Sequence, residues 1–198
     1  DNTIDKVNKE DSGDDCTILI NVGGKLNIDN CYITGNRQAV VVRAGDANIT
    51  NSNITVTGNS AYSGNRLEGA WSSGNEVAPG ALVVGNYVDG EASAYKAAAD
   101  VNVSDTIITS ENSGVPAIYA DSNKSYESNI DITGASTVVT GTVETGQYNA
   151  GHESSKTSDI NIYAGKYLTK DGNPNTAVES YIEAANSEID SETGTIIA

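Results

Sequence analysis

Apolar and polar positions along this chain fall into a nine-residue phrase that returns six times. Its clearest copies are Leu-Asn-Ile-Asp-Asn-Cys-Tyr-Ile-Thr at 26–34, Ala-Asn-Ile-Thr-Asn-Ser-Asn-Ile-Thr at 47–55 and Val-Asn-Val-Ser-Asp-Thr-Ile-Ile-Thr at 101–109. Looser copies begin at Ile130, Ile160 and Ile182. In each, the first and third residues are apolar, a small or turn-forming residue stands near the fifth, and another apolar residue follows at the eighth or ninth. Alternation with a period of two puts the first and third side chains on one face of a strand. The Asn, Asp or Gly that follows bends the backbone, because these residues tolerate left-handed conformations and hydrogen-bond locally. The later Ile or Val then starts a second strand that points back into the same interior.

The starts at 26, 47, 101, 130, 160 and 182 leave two short intervals, two longer ones, and one far longer, from 47 to 101. The short intervals suit a compact coil and the longer ones allow a loop. A second phrase lies between the copies: Ala-Val-Val-Val at 39–42, Ala-Leu-Val-Val at 81–84, Ala-Ile-Tyr-Ala at 117–120 and Ala-Val-Glu-Ser at 177–180. One such repeat cannot bury its apolar face, but stacked repeats bury a continuous one. The pattern predicts an all-β solenoid of short parallel strands, with Ile28, Ile49, Val103, Ile132, Ile162 and Ala184 forming one inward stack about 4.8 Å apart. The competing arrangement is a sandwich of antiparallel strands. The long interval from 47 to 101 fits one or two coils plus an insertion.

In chain order, residues 1–16 form a polar leader or partial cap, and 17–198 form the β-helix domain, opening on a strand at 17–22. Insertions at about 59–80 and 86–100 break the pattern; the second holds the best helical candidate, 92–99. Polar bridges at 121–128 and 145–158 read as loops, and 170–175 as a turn around Asn173-Pro174.

Composition sharpens this picture. With no Phe or Met, one Trp and 20 Gly, the interior falls to aliphatic residues on pleated strands joined by tight turns. The net charge of −16 argues against nucleic acid and anionic lipid as partners, since both call for clustered Lys and Arg. Calcium held by carboxylates is the one cofactor the charge leaves in play, and neither an EF-hand spacing nor a calcium-binding nonapeptide repeat supports it. No segment reaches the roughly 18 apolar residues of a membrane span. The chain opens without an initiator Met or a signal peptide and stops within an apolar run, as a processed or excised piece would. Cys16 and Cys31 are close enough in the chain for a short disulfide loop, leaving a disulfide and a pair of thiols as alternatives.

The coil phrases resemble the right-handed parallel β-helix of the pectin-lyase-like superfamily. They are most similar to non-enzymatic coils of bacterial cell-surface adhesins, where Gly-x-Ala-x-Ile-x-Asn-Ser-x-Ile-x-x-x-Gly stacks. The matching text is Gly-Asp-Ala-Asn-Ile-Thr-Asn-Ser-Asn-Ile-Thr-Val-Thr-Gly at 45–58. The resemblance covers 17–198 outside the insertions and implies a single-stranded, right-handed solenoid at the cell surface or outside the cell. It says little about activity, because the same coils carry lyases, hydrolases, tailspikes and passive stalks.

Candidate chemistry follows from that list. Glycosidic cleavage needs two carboxylates facing one cleft. Gly13-Asp14-Asp15 and Gly151-His152-Glu153 superficially match hydrolase motifs, but they lie in separate polar segments and no Arg-x-Lys accompanies them. Arg37, Arg43 and Arg66 are in no lyase context, and no Cys/His cluster offers zinc a site. The turn residues Asn30, Asn51 and Asn186 are candidates for a structural amide ladder. Tyr62, Arg66, Glu68, Trp71, Tyr87, Asp89, Glu91 and Tyr95 stand outside the coil pattern, in polar glycine-rich stretches. Aromatic faces beside Arg and acids suit a sugar ring or a protein hot spot. The expectation is a non-enzymatic binding module that presents loops to a host protein or carbohydrate. The rivals are a polysaccharide-active enzyme and a bare stalk.

Overall fold

The computed structural model describes residues 2–6, 16–20, 23–58, 79–85, 98–122, 127–147 and 158–197. Its strands are β1 (Asn2–Lys6), β2 (Cys16–Ile20), β3 (Lys25–Asp29), β4 (Cys31–Gly35), β5 (Gln38–Val42), β6 (Asp46–Thr50), β7 (Asn53–Val56), β8 (Gly80–Gly85) and β9 (Ala99–Ser104). They continue as β10 (Ile107–Ser110), β11 (Ile118–Ser122), β12 (Ser128–Ile132), β13 (Val138–Thr140), β14 (Val143–Gln147), β15 (Ser158–Ile162) and β16 (Lys166–Leu168). The chain visits three parallel sheets in strict rotation. The first is β1-β4-β7-β10-β13-β16, the second β2-β5-β8-β11-β14 and the third β3-β6-β9-β12-β15. This arrangement is compatible with a β-helix.

Each of the first five phrases is the passage from the third sheet to the first. Asn30, Asn51 and Asp105 hold left-handed φ of 52°, 48° and 49° between the two strands, which is why Asn or Asp stands there. Ile28, Ile49, Val103, Ile132 and Ile162 pair in one register, and all are buried. The sixth member differs: Ile182, not Ala184, sits opposite Ile162. The long interval between the second and third phrases is one circuit, since β6 pairs directly with β9. The inward rows of all three sheets merge into one core, with Ile33, Ile54 and Ile108 from the first and Val40, Leu82 and Ile118 from the second.

The second sheet is buried on both faces in its middle. Val41, Val83 and Tyr119 point away from the main core, yet each is at most 2 % exposed, and they form a cluster of their own. Strands buried on both sides read as continuous apolar runs, and that explains Ala-Val-Val-Val and Ala-Leu-Val-Val beside the alternating phrases.

Several boundaries move. Asn2–Lys6, expected as leader or cap, pairs in parallel with β4. Gly80 opens β8 and Ala99 opens β9, so both insertions end sooner than the composition suggests. The run at 177–180 belongs to a 3-10 turn, Thr176–Tyr181, rather than a strand. Beyond it, β17 (Glu188–Ile189) and β18 (Ile196–Ile197) pair antiparallel, and Thr195 and Pro174 form antiparallel bridges to β16. These contacts occupy the edge where another parallel strand would add.

Candidate functional site

The third sheet presents the most regular polar surface among the described residues. Its outward positions are those between the buried ones, and none in β3, β6, β9, β12 or β15 is apolar. Asn48 Nδ2 donates to Asn27 Oδ1 at 3.2 Å, and Asn102 Nδ2 to Asn48 Oδ1 at 3.3 Å. Further along, Asn129 Nδ2 donates to Asp100 Oδ1 at 2.9 Å and Asn161 Nδ2 to Asp131 Oδ1 at 2.8 Å. Lys25 pairs with Asp46 at 3.3 Å at the other end. Between β9, β12 and β15 this surface forms an open groove of about 310 Å³, lined by Asp100, Asn102, Glu127, Asn129, Asp131 and Asp159 among others. The amides hold their carboxylate neighbours in place, so the groove is rich in acceptors and keeps a negative potential. No group of three or more His, Cys, Asp or Glu among the described residues is placed to hold a metal ion.

The amide ladder is thus real, but it is built from different residues than expected. Asn27, Asn48 and Asn102 occupy the second position of the phrase, on the outer face. Asn30, Asn51 and Asn186 supply left-handed backbone instead, although Asn51 Nδ2 also reaches Asp29 Oδ1 at 2.9 Å. At the corner itself the rungs are hydroxyls. Ser52 Oγ donates to Thr50 O at 2.6 Å and accepts from Cys31 N at 3.1 Å. Thr106 Oγ1 donates to Ser104 O at 2.9 Å and accepts from Ser52 N at 3.4 Å, and Thr106 N donates to Thr137 Oγ1 at 3.4 Å. The sequence carries a signal for both ladders: Asn or Asp recurs at the second position of the first five copies, and Cys, Ser and Thr follow the left-handed residue of the clearest three.

Cys31 is the first rung of the corner ladder, with its Sγ 3.3 Å from Asp29 O. No disulfide joins it to Cys16. Cys16 lies on β2 and packs against the Val41, Val83 and Tyr119 cluster, whereas Cys31 packs against the main core.

Asp29 accepts from the Thr50 hydroxyl at 2.6 Å and from Asn51, and these bonds hold its carboxyl below the usual carboxylate range. Asp190 is lowered likewise by the backbone N–H groups of Glu192 and Thr193. Tyr167 lies in the core with its hydroxyl 3.0 Å from Ala164 O, and burial pushes its phenol well above the ordinary value.

No protein family, curated protein or solved structure matches this chain. The text of the phrases and the rotating parallel sheets are therefore what the β-helix resemblance rests on. The aromatic candidates lie outside the described residues: Tyr62, Arg66, Glu68 and Trp71 within 59–78, and Tyr87, Asp89, Glu91 and Tyr95 within 86–97. So do Asp14, Asp15, His152 and Glu153. Arg37 and Arg43 stand at either end of β5, 7 % and 1 % exposed, as buried groups rather than groups lining a cleft. No helix among the described residues is long and apolar enough to cross a membrane.

Proposed function

We propose that this chain is a non-enzymatic, surface-exposed binding module of an adhesin, a right-handed parallel β-helix that presents loops to a host protein or glycan. The supporting observation is where the chain departs from its circuit. Passages from the third sheet to the first never exceed five residues, the longest being 133–137. Every connection between sheet strands longer than five residues borders the second sheet instead, including 57–79 and 86–98 at the two ends of β8. A frame that places its long connections at one sheet's margins is suited to presentation.

Because β8 is buried over its whole length, the roots of both segments are fixed by the core. On this reading Trp71 and its aromatic neighbours form one contact surface, ringed by Arg66, Glu68, Asp89 and Glu91. A buried aromatic anchor is worth about 2 kcal/mol in binding, roughly 30-fold in affinity. The test is an array of glycans and host proteins probed with the wild type and with Trp71→Ala, alongside thermal midpoints. Weakened binding at an unchanged midpoint is expected. Equal binding by the variant removes the aromatic surface, and reducing ends released from acidic polysaccharides would put an enzyme in its place.

A further inference from the structure

The two ends of the stack are unlike. At the far end Pro174 and Thr195 bridge β16 and Ile182 pairs with Ile162, so the first and third sheets are occupied there. At the near end β1, β2 and β3 each stand last in their sheet, and no strand among the described residues pairs with their outer edges. The interior registers the difference. Ile18, Ile20 and Leu26 pack against the core yet are only half-buried, whereas Val40, Val42 and Ala47, stacked directly on them, are at most 1 % exposed. An edge of unpaired N–H and C=O groups beside half-covered apolar side chains is a template for another strand.

The sequence of β3 says which strand fits. Lys-Leu-Asn-Ile-Asp at 25–29 is self-complementary about Asn27. Paired antiparallel with β3 of a second copy, Lys25 stands opposite Asp29, Leu26 opposite Ile28 and Asn27 opposite Asn27, and a two-fold axis makes each contact twice. Opposite charges then face each other on the outer side, and apolar residues meet on the inner one. A parallel pairing in register would set Lys25 against Lys25 and Asp29 against Asp29, which is unfavourable. Both charges are within reach of a second copy. The Lys25 side chain is 82 % exposed, with Asp46 at 3.3 Å. Asp29 is exposed too, and its bonds from Thr50 and Asn51 hold its carboxylate in place.

We infer that two copies of this chain join near end to near end through β3, as a two-fold symmetric dimer. A contact centred on one strand is smaller than a standard interface, so the association is weak and reversible. It uses no residue of 59–78 or 86–97 and stands apart from the loop reading, so Trp71→Ala leaves it unchanged.

Sedimentation equilibrium of the full chain, followed as its concentration rises into the millimolar range, tests the dimer. The wild type is expected to approach twice the monomer mass and go no further. Lys25→Asp brings carboxylates face to face on both sides of the axis, and Asp29→Lys brings ammonium groups face to face. Each variant alone should associate about tenfold more weakly. An equimolar mixture of the two should recover the wild-type affinity, because each supplies the charge the other lacks. Asp29→Lys also makes the chain less negative than −16, so a contact ruled by overall charge would strengthen in that variant. Lys170→Asp, the same charge change at an exposed position of the far end, should leave association unchanged. A wild type that stays monomeric, species beyond the dimer, a mixture no tighter than its components, or equal weakening by Lys170→Asp would each overturn the assignment. Should Asp29→Lys lose its fold through the lost bonds to Thr50 and Asn51, the comparison of Lys25→Asp with Lys170→Asp decides alone.

Discussion

Thr106→Val breaks the corner ladder with little change of shape. Thr106 is fully buried, its Oγ1 donating to Ser104 O at 2.9 Å and accepting from Ser52 N at 3.4 Å. Valine puts a methyl group where the hydroxyl was, and both bonds vanish. Ser104 O keeps a second donor, Asn51 N at 3.3 Å, whereas Ser52 N–H is left without a partner among the described residues. One buried donor left unsatisfied costs about 1–3 kcal/mol. The long Ser52 bond and the surviving donor on Ser104 O set the expectation at about 2 kcal/mol, or about 5 °C in midpoint for a chain of this size. Thr106→Ser keeps the oxygen and loses a methyl group, at about 1 kcal/mol. Urea unfolding followed by far-UV circular dichroism measures both, and amide exchange at Ser52 reports the local effect where stacked repeats unfold in sections. The ladder reading fails if the valine variant matches the wild type, or if it is more stable than the serine variant.

Ile132→Ala removes a fully buried side chain between Val103 and Ile162; the expected loss is about 2–5 kcal/mol, and a urea midpoint within error of wild type would contradict the shared core. A Cβ at Gly134 would meet Asp105 N and stand 2.8 Å from Ser104 Cα, so Gly134→Ala should destabilise by about 3 kcal/mol, visible in the same unfolding curves. Asp29 and Asp190 titrate below their ordinary value, so their contribution is complete above about pH 3.9 and disappears as pH falls through the lowered values. The stability gap between wild type and Asp29→Asn should close on acidification, and a gap that widens would reverse the argument. Tyr167 acts at the other extreme: its raised phenol favours the folded state below about pH 10 and costs stability above it, a loss Tyr167→Phe should lessen. In denaturant without reductant, iodoacetamide should alkylate both Cys16 and Cys31, and a mass showing neither modified would restore the disulfide.

How much of this was legible in the sequence depends on the range of the interaction involved. Period-two alternation and a left-handed residue are local properties, so the five-member row from Ile28 to Ile162 and the corners at Asn30, Asn51 and Asp105 follow from the phrases themselves. The continuous apolar runs of β5 and β8 stood out for the same reason, although only packing explains them, since an outer cover for Val41 and Val83 is not a property of either run. The candidate site was less accessible. The aromatic residues break the coil pattern, and a broken pattern says nothing about placement. Asn129 and Asp100 are far apart in the chain and meet only because successive circuits stack.

The phrase at 177–180 marks the limit most clearly. Ala-Val-Glu-Ser has the spacing of a second-sheet strand, yet it folds as a 3-10 turn with only Val178 buried. A strand is stabilised by a neighbour's free backbone edge as well as by its own alternation. Here no residue of 177–180 pairs with β14, the last strand of the second sheet, while Pro174 and Thr195 run antiparallel against β16 and close the first sheet. The sequence by itself determined the repeating unit, its inward face and its left-handed corners, all of which depend on neighbours within a single phrase. Only the tertiary structure decided which backbone N–H each corner hydroxyl accepts from, where the third sheet aligns its amides, and where the stacking ends. Those outcomes depend on the register between circuits, and register is fixed by backbone groups that lie a whole circuit apart in the chain.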